Sequence, residues 1–347
     1  GTALVGNSVF SNAKAGILIE SCTQGVREVG GNRVFKGKSY GIHVTGASSR
    51  EGCVVRGNDI SANSRSGVCL DSGAGPLVVG NKIHKGHRGG IFAVGGGTAG
   101  VIRGNDVYGN ARSGVEVKGK ACPSLTGNTV HDNRTNVIVS DGGLGVFEDN
   151  EVKGGHRANV EVTGAHSHPS FNRNQISGCR EGPGVLVGDD GRGVFDGNGV
   201  FDNCKDGFEI RSAGTSTGEK PVAAAAAGGG GGEDASSNNT ASADKKCTVD
   251  CSPDTCRGPY LAGNSVDDNR QCGVRLVGAA AAVLLKNEIF GNSGAGFEVS
   301  NKEAGSGHVL LRENHVFDGK GEGVALVGGD CSQVTVEKND IEKNSGP

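Results

Sequence analysis

Glu116, Glu161 and Glu209 each stand between two apolar residues, in Val115-Glu116-Val117, Val160-Glu161-Val162 and Phe208-Glu209-Ile210. Carboxylate pairs of this kind hydrolyse glycosides when one protonates the leaving oxygen and the other activates water or attacks the sugar. Asp189-Asp190 is the densest acidic pair, but its glycine-rich surroundings (GDDGRG, 188–193) describe a solvated turn. Cys247, Cys251 and Cys256, with Cys204 or Cys272, would furnish four thiolates for zinc, yet they lack the paired CxxC knuckles of a finger. His166-Ser167-His168-Pro169 reads as turn residues, and His84, Tyr108 and His131 share one register, as a stacked ladder would. No motif calls for a cofactor, and these residues assemble no catalytic constellation, so the balance leans away from an enzyme.

What positions these residues is a repeat. Asparagine recurs as Asn7, Asn32, Asn58, Asn81, Asn105, Asn128, Asn150, Asn174, Asn198, Asn264, Asn287, Asn314 and Asn339. Three residues before each stands an apolar residue, from Leu4 and Val29 to Phe147, Phe171, Phe195 and Val336. Two residues after each stands valine or isoleucine, from Val9 to Ile341. A second short strand follows, opened by glycine or asparagine and alternating apolar with any residue, as in Gly16-Ile17-Leu18-Ile19 and Asn136-Val137-Ile138-Val139. Short strands at a period of 22 to 27 residues, with no room for crossover helices, must stack turn on turn. The fold predicted is all-β, a right-handed parallel β-helix solenoid of about 13 turns.

The asparagine column, with amides about 4.8 Å apart, forms a structural ladder that satisfies buried polar groups. The strand-opening position is glycine or asparagine, as in Asn136 and Asn159, and is expected to be a left-handed corner. The same choice five residues after each anchor (Asn12, Gly37, Asn63, Gly86, Asn110) predicts a second such corner.

The outward residue of each second strand then forms one exposed column. It runs through Leu18, His43, Cys69, Phe92, Glu116, Ile138, Glu161, Leu186, Glu209, Arg275, Glu298 and Ala325. Its three glutamates are two turns apart, about 9.6 Å, at the far edge of the range for an inverting glycosidase. The interleaving of Phe92, Ile138 and Leu186 with Glu116, Glu161 and Glu209, continued by Arg275 and Glu298, is expected to make a protein-binding face.

The 64 glycines lack collagen's every-third spacing, and tryptophan and methionine are absent. Lysine and arginine total 35 against 38 acids, leaving no basic excess for nucleic acid. No apolar run spans a membrane and no leader opens the chain. The 11 cysteines form no paired framework, which points to a cytoplasmic or nuclear location. One anomalous spacing, 66, divides the solenoid into residues 1–212 and 259–347 around a low-complexity insertion, 213–258. Excising it sets Glu209 beside Arg275. Uncapped ends suggest a segment of a longer protein.

Between residues 75 and 212 the links before the anchors alternate between a proline kind and a glycine kind. AGPLVVGN (74–81), ACPSLTGN (121–128) and HPSFNRN (168–174) represent the first, GGTAGVIRGN (96–105) and GGLGVFEDN (142–150) the second. With GVLVGDDGRGVFDGNGVFDN (184–203), this alternation resembles the β-helix repeats of F-box only protein 11 and its relatives, of the carbohydrate-binding and sugar-hydrolase class and pectin-lyase-like fold. The resemblance implies a non-catalytic recognition or scaffold module, the substrate-binding part of a ubiquitin ligase subunit, whose ligase partners bind regions outside this chain. The alternatives are a polysaccharide lyase, epimerase or hydrolase, and a structural rod.

Overall fold

The computed structural model describes residues 2–20, 26–47, 52–212, 258–300, 307–328 and 331–346. The low-complexity insertion and its three cysteines lie outside the described residues, apart from Gly258. Every turn but the last contributes three short strands, so that among the described residues the three parallel sheets hold 13, 13 and 12 strands, and successive turns are neighbours in every sheet. One turn shows the pattern: Val101–Arg103 joins the first sheet, Asp106–Tyr108 the second and Ser113–Lys118 the third.

The alternation of the sequence becomes the inside and outside of the coil. The apolar residues flanking each asparagine point inward, and those from Val29 to Val316 are almost wholly buried. Identical positions stack: Phe147, Phe171 and Phe195 lie ring on ring at 4.3 and 5.2 Å, and Phe208 closes the stack edge-on at 5.4 Å. Each such ring removes a large apolar area from water, on the order of 3 kcal/mol per side chain. Across the insertion the register continues, with Glu209 opposite Arg275.

The asparagine ladder runs in one direction. Each backbone N–H and side-chain amide donates to the amide oxygen of the next turn, as Asn81 does to Asn105 at 2.9 Å for both, and Asn81 Nδ2 also donates to Val55 O at 2.9 Å. The turn backbone is thereby satisfied inside the coil, where an orphaned donor would cost about 1–3 kcal/mol.

The two expected left-handed corners are each misplaced by the sequence reading. Positive φ falls on the residue before each ladder asparagine, as at Gly104 (60°), Asp149 (52°) and Arg173 (53°). It also falls four residues after the anchor, as at Lys85 (54°) and Asp132 (54°), rather than five. The fifth position is instead a second ladder, in which Asn110 donates to Asn133 and Asn203 to Asn269. The strand-opening glycines have ordinary φ and are required by crowding. A Cβ on Gly90 would lie 2.4 Å from Val107 Cγ1 and 2.6 Å from Gly114 O. Asn136 and Asn159 occupy that position where they bridge the second ladder: Asn133 donates to Asn136, Asn136 to Asn159, and Asn159 to Asn203.

Candidate functional site

The third sheet gathers the predicted face. Parallel register puts Phe92, Glu116, Ile138, Glu161, Leu186, Glu209, Arg275 and Glu298 on successive turns in a single column. The column is not, however, an exposed stripe. Phe92, Ile138 and Leu186 are half-buried, Cys69 is wholly buried, and only Leu18 at the first turn is largely open. The side chains of Glu116 and Glu161 are 13% exposed and that of Glu209 6%.

What covers them is a ridge of arginines at the turn leading into this sheet. Arg65, Arg88, Arg112, Arg134 and Arg157 each stand two residues before the strand-opening glycine or asparagine. Backbone bonds hold them in line, from Arg112 N–H to Arg88 O at 3.0 Å and from Arg157 N–H to Arg134 O at 2.8 Å. Arg112 pairs with Glu116 at 3.7 Å, and Arg157 with Glu161 at 3.4 Å. Lys205 and Arg211 extend the positive rim, Arg211 Nε donating to Glu209 at 2.7 Å. This ridge was legible as spacings of 23, 24, 22 and 23 residues between arginines. The near balance of 35 basic against 38 acidic residues conceals it.

Ridge and column enclose two hollows. One, of about 150 Å³, is lined by Tyr40, Arg65, Arg88, Phe92, Arg112, Glu116 and Lys118. The other, of about 460 Å³, is lined by Arg134, His156, Arg157, Leu186, Lys205, Glu209 and Arg211, among others. Burial raises the Glu161 carboxyl above its ordinary range, against the opposing charge of Arg157. Burial likewise pushes Asp206 up to about 6, although Cys272 N–H donates to it at 2.9 Å.

The remaining sequence candidates stay apart from this groove. Asp189 and Asp190 are exposed turn residues with φ of 50° and 61°, and Thr163 Oγ1 donates to Asp189 at 3.0 Å. His84, Tyr108 and His131 stack at 4.9 and 5.0 Å on the second sheet, each histidine against an aspartate of the turn before. Sequence reasoning did not foresee that His43, Cys69 and Asp71 come together, their donor atoms within 4.8 Å of one another.

A family model described as a right handed beta helix region matches residues 66–219 and 227–347. No curated relative matches the sequence. Among solved structures, the A-module of Azotobacter vinelandii mannuronan C-5 epimerase AlgE4 is 15% identical, over 95% of this chain and 91% of that chain, with a TM-score of 0.47. A double mutant of the periplasmic alginate epimerase AlgG is 13% identical over 98% and 77%, at 0.47. Pectate lyase Pel9A is 13% identical over 89% and 70%, at 0.38. Likeness at this level shows the fold alone.

The expectation of a non-catalytic protein-recognition or scaffold module, with its F-box ligase form, is corrected. The family shown by the match is that of a right handed beta helix region, and the resemblance to the F-box relatives finds no support in it. The surface itself agrees with the correction, because the apolar residues of the column are sunk between charged neighbours and form no continuous exposed patch.

Proposed function

The chain belongs to the right-handed β-helix family, and from that premise we propose that it is a carbohydrate-active protein whose third-sheet groove holds an acidic polysaccharide, a uronate chain. The observation that carries this is the arginine ridge. Five guanidinium groups, one per turn, span about 19 Å at about 4.8 Å per turn, which suits a periodic polyanion lying along the axis rather than one small ion. The carboxylates beneath the ridge accept hydrogen bonds from sugar hydroxyls and repel a dense run of phosphates. Phe92, Ile138 and Leu186 offer apolar ground for the faces of sugar rings.

The same arrangement supports proton abstraction beside a carboxylate, the step shared by epimerisation and β-elimination of uronates. Arg134 and Arg157 would neutralise the uronate carboxylate and so acidify the adjacent C-5 hydrogen. Glu161, its carboxyl raised by burial and lying 3.4 Å from Arg157, is the base we assign to this step. The proton passes from C-5 to the Glu161 carboxylate. Glu161 then gives that proton up to solvent; delivery of a proton from water to the opposite face of C-5 gives the epimer, while departure of the C-4 group, protonated by water, instead gives the unsaturated sugar.

The test is to incubate the purified chain with polyuronate in heavy water and measure deuterium at C-5, alongside binding by calorimetry to polyuronate, a neutral glucan and RNA. Arg134→Ala with Arg157→Ala should weaken polyuronate binding roughly a hundredfold or more, at about 1.5–3 kcal/mol for each charge-assisted contact. Glu161→Gln should keep binding and lose exchange. Equal binding of neutral glucan or RNA, or the absence of both deuterium uptake and unsaturated, ultraviolet-absorbing chain ends with the unaltered chain, would refute the proposal.

A further inference from the structure

At the end of the groove nearest the first turns, a second cluster of reactive side chains stands outside the chemistry proposed above. His43 lies on the strand Ile42–Thr45, and Cys69 and Asp71 on Val68–Asp71 of the next turn. Register sets His43 opposite Cys69 and Thr45 opposite Asp71. Alternation then sends all three side chains to the outer side of the sheet. His43 Nε2 lies 2.8 Å from Asp71 Oδ2, and one donor atom from each residue falls within a sphere where no two are more than 4.8 Å apart.

Three features of this cluster are poorly explained by packing alone. Among the described residues Asp71 Oδ1 is buried with no hydrogen-bond partner, which leaves a carboxylate oxygen to which none of them supplies a donor. Cys69 is a thiol outside any disulfide and wholly buried, between the polar groups of His43, Asp71 and the Tyr40 hydroxyl rather than in the apolar core. The His43 and Asp71 side chains are 21% and 27% exposed, so the cluster is reachable from one side. A divalent cation accounts for the first two by taking the unpartnered oxygen and the sulfur together with an imidazole nitrogen, and the third gives it entry.

We propose that His43, Cys69 and Asp71 bind one zinc ion through three protein ligands, leaving a fourth position open toward the groove. Sulfur, nitrogen and oxygen in one set favour zinc over calcium or magnesium, which take oxygen alone. Tetrahedral zinc asks for donor separations of about 3.5 Å, so the widest pair must draw in by about 1 Å, a side-chain adjustment. Binding replaces the thiol proton, which leaves to solvent, and the His43–Asp71 hydrogen bond. The Tyr40 ring, 5.1 Å from the His43 ring, and the adjoining turn brace the histidine. The proposal stands on this geometry and does not depend on the polyuronate reading.

The experiment uses the full chain freed of metal by chelator and then titrated with zinc, and with cobalt(II) as a spectroscopic stand-in. Cys247→Ser, Cys251→Ser and Cys256→Ser are combined as a background that removes the insertion's thiols. Expected are about one equivalent of zinc in this background and a thiolate-to-cobalt absorption band. Cys69→Ser should abolish the band, and Asp71→Asn and His43→Gln should each weaken zinc binding roughly tenfold or more, with circular dichroism unchanged. The proposal is overturned if the background binds less than about a tenth of an equivalent, or if Cys69→Ser retains the band. Should Cys69→Ser fail to fold, undiminished zinc affinity in both Asp71→Asn and His43→Gln overturns it equally.

Discussion

Truncating Asn174 and truncating Asn7 to alanine remove the same amide from the same ladder, yet the two should differ several-fold in cost. Asn174 is fully buried in the middle of the column. Its Oδ1 accepts from Asn150 N at 3.0 Å and Asn150 Nδ2 at 2.9 Å, and its Nδ2 donates to Phe147 O at 2.9 Å and to Asn198 Oδ1 at 3.0 Å. Alanine there orphans the buried Asn150 N–H outright, while Asn150 Nδ2 keeps its bond to Leu125 O. One orphaned donor at about 1–3 kcal/mol plus three further lost bonds at about 1 kcal/mol each gives about 4–6 kcal/mol. Asn7 is exposed, and as the first member it only donates; Asn32 Oδ1 would keep the Asn7 backbone N–H at 2.9 Å after truncation. The expected cost is about 1 kcal/mol or less. Urea unfolding followed by circular dichroism should show a large drop in midpoint for Asn174→Ala and a small one for Asn7→Ala. Equal shifts would mean that the ladder's bonds are not directional, and the reasoning fails.

Asp206, with its carboxyl at about 6 in the folded chain against 3.8 ordinarily, holds its proton more tightly folded than unfolded. Its contribution is therefore fully present below pH 3.8 and is lost as pH rises through about 6. The change is about 3 kcal/mol, and Asp206→Asn should flatten it in unfolding curves taken across that window; an unchanged slope would count against the burial argument. Gly90→Ala would press a methyl against Val107 Cγ1 and Gly114 O and should cost about 1–3 kcal/mol, whereas Gly96→Ala, where open space surrounds the position, should cost less than about 0.5 kcal/mol. Polyuronate affinity should fall steeply between low and physiological salt, and Arg65→Ala with Arg88→Ala should make that fall shallower; a salt-independent affinity would argue against the ridge.

The repeat was legible because a parallel solenoid forces the same chemistry onto the same place in every turn. An inward amide with an apolar neighbour on either side is needed thirteen times, and it appears thirteen times in the chain from Asn7 to Asn339. The corners were less legible because glycine and asparagine are chosen for three different reasons. Gly104 adopts positive φ, Gly90 leaves room for Val107, and Asn136 supplies an amide to a ladder. A preference shared by three causes does not say which one acts at a given residue.

By itself the sequence determined the coil, its period, its inward residues and the identity of the column on its third sheet, since these follow from alternation and recurrence along one chain. Only the tertiary structure decided how far that column is buried and which charges lie beside it. Whether Glu161 is a solvated charge or a carboxyl raised by burial depends on how deeply the stacked turns bury it, against the opposing charge of Arg157, and the sequence around it does not state that depth. Likewise His43 and Asp71 are separated by a whole turn in the chain, and stacking of one turn on the next brings them to 2.8 Å. Burial and proximity between turns are properties of the stack, and they set the chemistry of groups whose positions the repeat had already laid out.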